Sequence, residues 1–144
     1  MNFNLKTAQQ YANIDDTETW IHAYLNAGDW RNSGLSDGLK LQKRWWIGPV
    51  SVPLSLLIRC CGPEPEMAYQ QPLDSWENRV SNIQKTLTTV EALPPLIATY
   101  DAGTYSLRDG NHRHEAMRRN GWTHCYTFIW YNDETTWQTS PYQK

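Results

Sequence analysis

The 144-residue chain has a formal net charge of −2 at pH 7, and its hydrophobic residues include eight Trp and eight Tyr, most of which we assign to a core. This length suits one domain, and the charge argues against a general nucleic-acid binder, which normally has a basic surplus. Its three cysteines form no disulfide framework or metal-ligand spacing, and no apolar run reaches the roughly 18 residues of a membrane span. We therefore expect a cytoplasmic protein with reduced thiols and no membrane partner.

The N-terminal part of the sequence predicts one helix. Residues 15–27 contain Asp15 followed three residues later by Glu18, which is typical of a capping box at a helix start. The polar, glycine-containing segment 29–38 predicts a loop. Residues 39–48 are compatible with either a strand or a short helix, and the pattern alone does not choose between them.

The central part of the sequence predicts a strand, an irregular excursion and a long helix. The apolar run 50–60 contains a proline, which suits a strand end followed by a buried turn of helix. Three prolines interrupt residues 60–74 and predict irregular structure. The helix predicted over 74–87 begins with Asp74, Glu77 completes a capping box, and an apolar stripe is formed by Trp76, Val80, Ile83 and Leu87.

The last part of the sequence predicts a hairpin, a helix and a strand. Two short apolar runs flank a turn in which Gly103 suits the left-handed position. A helix follows from about His112 to Asn120, with Gly121 as its stop, and 124–131 predicts a strand. The tail, 132–144, has turn composition and is expected to fray unless Trp137 pins it. These elements together indicate an α/β (or α+β) fold, a small mixed sheet with flanking helices.

The turn before the helix that starts at about His112 has both the position and the charge of an anion-binding site. A strand's carboxyl end meets a helix N-terminus there, which is the usual ligand position in α/β sheets. Two arginines and two imidazoles crowd at this partly positive end, and only Asp109 offsets them. We therefore predict an anion site, the alternative being a plain capped helix start. A metal pair of His112 and His114 is disfavoured, because side chains two residues apart on a helix diverge.

A family resemblance rests on the same turn. The motif Asp109-Gly110-Asn111-His112-Arg113, a hairpin before it, and Gly121 and a closing strand after the helix resemble the core of the ParB/sulfiredoxin superfamily. The resemblance covers roughly residues 47–131. It leaves residues 1–46 as a helical extension and 132–144 as a C-terminal tail.

The resemblance implies a nucleotide-phosphate site. Arg113 and His112 would hold the phosphate, Gly110 and Asn111 would supply backbone donors, and Asp109 would orient His112 or reach Mg²⁺ through water. Replacing Arg113 with Ala should then abolish nucleotide binding and leave the fold intact. ATP, ADP or CTP with Mg²⁺ would be the ligand.

Departures from the family pattern narrow the expected activity. Asn111 stands where sulfiredoxins carry their catalytic cysteine, so their thiol chemistry is not expected. The branch that contains free-serine kinases is nearer in motif and uses an upstream glutamate as base, for which Glu64 and Glu66 are the candidates and Glu77 a weaker one.

We expect a small-molecule phosphotransferase or NTPase, and two other classes stay open. One is a DNA-associated, nuclease-like protein, which the net charge and the lack of a helix-turn-helix in this sequence both disfavour. The other is a non-enzymatic regulator that a nucleotide switches.

Overall fold

The computed structural model describes residues 1–28 and 31–143. Its helices are α1 (Leu5–Asn13), α2 (Thr17–Leu25), α3 (Ser33–Leu39), α4 (Leu73–Thr86), α5 (Asn111–Arg119) and α6 (Glu134–Gln138). Its strands are β1 (Trp45–Pro53), β2 (Leu57–Arg59), β3 (Cys61–Gly62), β4 (Tyr69–Gln70), β5 (Leu96–Asp101), β6 (Thr104–Asp109) and β7 (His124–Tyr131). Short 3₁₀ turns cover Leu54–Leu56 and Val90–Ala92.

Five of these strands form one mixed sheet in the order β1-β7-β5-β6-β2. The strands β5 and β6 are an antiparallel hairpin, β7 runs parallel to β5, β2 runs parallel to β6, and β1 runs antiparallel to β7. The expected α/β class with a small mixed sheet is therefore confirmed. Because β2 and β6 are parallel neighbours, their carboxyl ends meet at one edge of the sheet, where α5 begins.

The predicted turn signals lie where the sequence places them. In the hairpin between β5 and β6, Ala102 and Gly103 have φ angles of 49° and 86°. After α5, Gly121 has a φ of 82° and ends the helix. The predicted strand over 124–131 matches β7.

The N-terminal helices pack directly on one face of the sheet. Their shared core contains Trp20, Ile21, Tyr24 and Leu25 of α2, Ile97 of β5, and Phe128 and Trp130 of β7, with Ala8 and Leu39 beside them. A second cluster, which includes Val52, Leu54, Leu107 and Ile129, packs β1, β6 and β7 together. Residues 1–46 therefore contribute to the core of the fold, and β1 already begins at Trp45, inside the predicted extension.

Two helices lie where the sequence predicted none. A capping box between Asn4 and Thr7 begins α1, a signal that the prediction missed. Of the segment 29–38 predicted as a loop, residues 33–38 belong to α3, although Gly34 and Gly38 are poor helix formers, and residues 29 and 30 lie outside the described residues. Burial of Leu39 and Ser36 at its packed face compensates, since tertiary packing overrides weak propensity.

The expected capping boxes of α2 and α4 are wrong, and of the two alternatives for the tail the structure has the one in which Trp137 pins it. Helix α2 begins after Asp16, while Asp15 has a φ of 56° outside the helix. Helix α4 begins after Pro72, and no described side chain caps it. In the tail, Asp133 caps α6, and Trp137 Nε1 donates to the carbonyl of Trp46 at 3.0 Å.

Candidate functional site

A cavity of about 660 Å³ lies at the carboxyl ends of β2 and β6, around the N-terminus of α5. Its described charged lining residues are four arginines and one aspartate: Arg31, Arg79, Arg108, Arg113 and Asp109. The predicted turn residues Gly110, Asn111 and His112 line it as well. The remaining lining comes from α2 and α3, from the excursion between β2 and α4, and from Ile83 of α4. We call this space the arginine-lined cavity.

The α5 N-terminus begins at a residue that must be glycine. Gly110 has a φ of 96°, and a Cβ there would lie 2.4 Å from Leu96 Cδ2. Packing against Leu96 and the positive φ angle therefore explain the glycine at this position. No described side chain caps the first turn of α5, and the backbone N–H groups of Asn111 and His112 have no intrahelical partner. This end of α5 therefore keeps donors at the cavity.

Asp109 and Arg113 form a buried cluster with Tyr24 of α2. The Tyr24 hydroxyl donates to Asp109 Oδ2 at 2.7 Å and accepts from Arg113 Nη2 at 2.6 Å. The carboxylate also accepts from Asn32 at 3.3 Å and from Arg113 at 3.3 Å. Asp109 therefore contacts Tyr24, Asn32 and Arg113. The expectation that it orients His112 is wrong.

Arg113 is a structural residue as well as a cavity residue. It is 3% exposed, and besides Tyr24 and Asp109 its guanidinium donates to the carbonyl of Pro94. Burial and the neighbouring Asp109 raise the pKa of the Tyr24 hydroxyl, which stays protonated as a donor. Removing Arg113 would leave the buried Asp109 carboxylate without its charge partner. The expectation that Arg113→Ala leaves the fold intact is therefore corrected.

The imidazoles of His112 and His114 are neutral, and each hydrogen-bonds to a different partner. Burial, together with the charges of Arg79 and Arg59, lowers the pKa of His112 to about 4. Its Nε2 lies 2.8 Å from the amide oxygen of Gln71, so this nitrogen donates to Gln71. Burial also lowers the pKa of His114, whose Nε2 donates to the carbonyl of Leu54 at 2.8 Å. The positive charge of the site therefore comes from arginines and not from these imidazoles.

Asn111 connects α5 to the end of β2. Its Oδ1 accepts from the backbone N–H groups of Cys60 and Cys61 at 3.0 and 3.3 Å. Its Nδ2 donates to the carbonyl of Leu107 at 3.3 Å. The side chain thus positions the excursion that follows β2 against the α5 N-terminus, while both cysteines, free thiols, line the cavity.

The candidate glutamates lie outside the described lining of the cavity. Glu64 accepts from Arg59 Nη2 at 2.5 Å, and this hydrogen bond lowers the pKa of its carboxyl. Glu66 is exposed in the same excursion. Glu77 lies on α4 and pairs with Arg119 at 2.7 Å. The structure therefore brings none of the three to the α5 N-terminus, and Asp109 is the carboxylate that lines the described part of the cavity.

Sequence reasoning missed the residues that come from other elements. Arg79 lies on the exposed side of α4, and Arg31 and Asn32 precede or begin α3 in a segment predicted as a loop. Tyr69 and Gln71 lie in the excursion that was predicted only to be irregular. No local pattern marks any of these, because only the packing of α4 on α5, of α3 on α2 and of the excursion on the α5 N-terminus brings them to one place.

The described residues contain no group of three or more His, Cys, Asp or Glu side chains that could hold a metal ion. Within the same residues, no helix has both the length and the apolar character that crossing a bilayer requires.

Comparisons with known proteins find similarity at the level of structure. No protein-family model matches the sequence, and no curated protein matches it significantly. The structure of sulfiredoxin from Arabidopsis thaliana is similar over 54% of this chain and 81% of its own, with 23% identity and a TM-score of 0.36. That of C-terminally truncated chromosome-partitioning protein ParB from Caulobacter crescentus, complexed with CTP-γ-S, is similar over 60% of this chain, with 19% identity and a TM-score of 0.38.

The chain spans 46% of the length of that ParB structure. Sulfiredoxin and ParB are the two groups that the turn motif resembles. A similarity at this level concerns the fold of the matched part and is not evidence of an activity.

Proposed function

We propose that the arginine-lined cavity binds a nucleotide through its phosphates at the N-terminus of α5. The observation that carries this proposal is that Arg79, Arg108 and the N-terminus of α5 all line the same cavity. A helix N-terminus favours anions through its N–H groups and its dipole. Grouping several guanidinium groups around it is unfavourable unless an anion offsets them.

Each element of the site has a distinct task in this proposal. Arg79 and Arg108 would grip phosphate oxygens through their planar donor groups. The N–H groups of Gly110, Asn111 and His112 would donate to a further oxygen. Arg113 would add positive charge from the buried cluster with Tyr24 and Asp109, while its guanidinium keeps its structural contacts.

The donor set is compatible with Mg²⁺ brought in by the nucleotide. Mg²⁺ prefers phosphate, carboxylate and water oxygens, and the Asp109 carboxylate lines the cavity. Asp109, whose oxygens already accept from protein donors, would reach the ion through water, and the ion would neutralise charge on the phosphates. A phosphotransferase or NTPase would use Asp109 as its carboxylate, since Glu64 is engaged by Arg59.

A nucleotide-switched regulator is the second candidate. It is favoured by the three protein donors that hydrogen-bond to Asp109, because they occupy the carboxylate that a general base would need. It is also favoured by the hydrogen bond between Tyr24 and Asp109, because this contact links α2 to the start of α5. At saturating ATP or CTP, a regulator would bind without releasing phosphate, whereas an NTPase would release it. A phosphate-release assay on the same protein distinguishes the two.

A thermal-shift panel tests the binding itself. It uses ATP, ADP, CTP, GTP, sulfate and duplex DNA, each with and without Mg²⁺. A nucleotide at about 100 times its dissociation constant adds roughly 2.7 kcal/mol of stability, which corresponds to a shift on the order of 5–10 °C.

Arg79→Gln is the test variant, and Lys85→Gln, an exposed cation on the same helix outside the described lining, is its control. Losing a charge-assisted contact weakens binding roughly tenfold or more, so Arg79→Gln should lose about half of the shift or more, and Lys85→Gln should keep it. A shift that Arg79→Gln leaves unchanged would contradict the proposal, and so would a flat nucleotide panel. A salt-dependent shift with DNA alone would favour the DNA-associated class.

A further inference from the structure

Tyr69 is an aromatic side chain that lines the arginine-lined cavity and is mostly exposed, at 59%. It lies on β4, whose backbone is fixed by pairing with β3, and its N–H donates to the carbonyl of Cys60 at 2.9 Å. The position of its backbone is therefore set by the same excursion that Asn111 ties to α5. The Tyr69 ring is therefore exposed at the wall of the cavity, where a ligand can contact it.

The ring of Tyr69 lies beside one of the cavity arginines. The guanidinium carbon of Arg108 lies 6.0 Å from the ring centroid, at the outer limit of a cation–π contact. Arg108 directly precedes Asp109 at the end of β6. A proposed phosphate-binding cation and an exposed aromatic face are thus neighbours within the same cavity.

The size and lining of the cavity exceed what a phosphate group requires. About 660 Å³ falls in the range of sites that enclose drug-sized ligands. The lining also includes the apolar side chains of Leu35 on α3 and Ile83 on α4. An inorganic anion held by the arginines would leave these apolar side chains and the Tyr69 ring in water.

We infer that the ligand is a nucleoside polyphosphate and that Tyr69 is the residue on which its base stacks, beside Arg108. This inference rests on the proposed function, which concerns the phosphates, and adds the part of the site that recognises the nucleoside. Stacking on an aromatic ring accepts any base, because every base has a π face. Tyr69 therefore provides affinity for the nucleoside and only modest choice among bases.

Isothermal titration with inorganic tripolyphosphate, ATP and CTP separates the two parts of the site. Wild-type protein should bind the nucleotides at least about fivefold more tightly than tripolyphosphate, as expected for one stacked base. In Tyr69→Ala this advantage should disappear while the tripolyphosphate affinity stays within about twofold of wild type. The matched Tyr69→Phe variant keeps the ring and should keep the advantage, and Arg108→Gln should weaken all three ligands.

The outcomes are distinguishable. Because the Tyr69 side chain is mostly exposed, Tyr69→Ala should leave the melting temperature of the free protein unchanged, so a loss of affinity is not a loss of fold. Equal wild-type affinities for ATP, CTP and tripolyphosphate would overturn the stacking role and leave the phosphate site standing. A Tyr69→Ala variant that keeps the nucleotide advantage would overturn it too. Failure of all three ligands to bind would contradict the proposed function and the inference together.

Discussion

The hydroxyl of Tyr24 on α2 accepts a hydrogen bond of 2.6 Å from the guanidinium of Arg113 on α5, although 89 positions separate the two residues. The same hydroxyl donates to Asp109 at 2.7 Å. The N-terminal helices, which lie outside residues 47–131, therefore hold the central charged pair of the candidate site. The candidate site and the N-terminal extension, residues 1–46, are therefore packed together in one structure.

Arg113→Ala should destabilise the fold itself. The variant leaves the buried Asp109 carboxylate without its charge partner, which typically costs about 3–5 kcal/mol, and the melting temperature should fall on the order of 10 °C. Chemical denaturation measures the free energy of unfolding. The control is Lys85→Ala, an exposed cation on α4 with no described ion pair, which should cost less than about 1 kcal/mol. Equal stability of Arg113→Ala and wild type would show that the buried cluster does not hold α2 to α5.

Asn111→Ala should also destabilise the protein. The variant removes the acceptor of two backbone N–H groups, those of Cys60 and Cys61, and an unsatisfied buried donor costs about 1–3 kcal/mol. The matched control is Asn78→Ala, an exposed position of α4 with no described side-chain hydrogen bond, which should not lower the free energy of unfolding because alanine is the better helix former. If the two variants unfold at the same urea concentration, Asn111 does not position the excursion after β2.

Gly34→Leu should weaken nucleotide binding without weakening the fold. Gly34 lines the arginine-lined cavity, and a Cβ there meets no other atom within 4 Å. Because glycine is a poor helix former, the variant should unfold with the same free energy as wild type or with up to about 1 kcal/mol more. Its melting temperature should therefore stay the same or rise. Its side chain would occupy ligand volume, so the nucleotide dissociation constant should rise about tenfold or more.

Gly28→Leu provides the comparison for this variant, since a Cβ at Gly28 also meets no atom within 4 Å and Gly28 is outside the described cavity lining. It should bind nucleotide like wild type. Unchanged affinity in Gly34→Leu would place the ligand away from α3.

The stability of the protein should fall as the pH is lowered from about 6.5 to about 4. The folded-state pKa of His112 is about 4, below the usual 6.5, because of burial and the charges of Arg79 and Arg59. In this window the unfolded chain takes up a proton that the folded protein does not, so the free energy of unfolding decreases as the pH falls. His114, whose pKa is also lowered, acts in the same direction.

Urea denaturation at pH 7 and at pH 4.5 measures this loss. His112→Gln removes the titrating group, so its loss of stability between the two pH values should be smaller than that of wild type. An equal loss in both proteins would assign the pH dependence to other groups.

Several elements could be predicted because their signals are local. Gly103 and Gly121 have positive φ angles as their turn and cap positions require, and the apolar stripe of α4 buries Trp76 and Val80 against α5. The placement of the turn at Asp109–Arg113, between the end of β6 and the start of α5, follows from the order of neighbouring elements. Such features depend on a few consecutive residues or on one helical repeat.

Other features depend on distant packing and have no local signal. The glycine-containing segment of α3 is helical because Ser36 and Leu39 are buried by neighbouring elements. The charge state of His112 is set by burial and by arginines from other elements, so counting it as positive in the sequence was wrong. Arg79 joins the site only because α4 packs on α5.

The measurement that most directly tests the central claim is an amide chemical-shift titration of the ¹⁵N-labelled protein with ATP and Mg²⁺, and with CTP and Mg²⁺. The proposed function predicts that the amide signals of Gly110, Asn111 and His112 shift with the largest amplitude and saturate at one dissociation constant. Arg79→Gln should raise that constant. Nucleotide binding that leaves these three amides unchanged, with shifts clustered instead around Asp101 and Asp133 at the smaller second cavity, would contradict it.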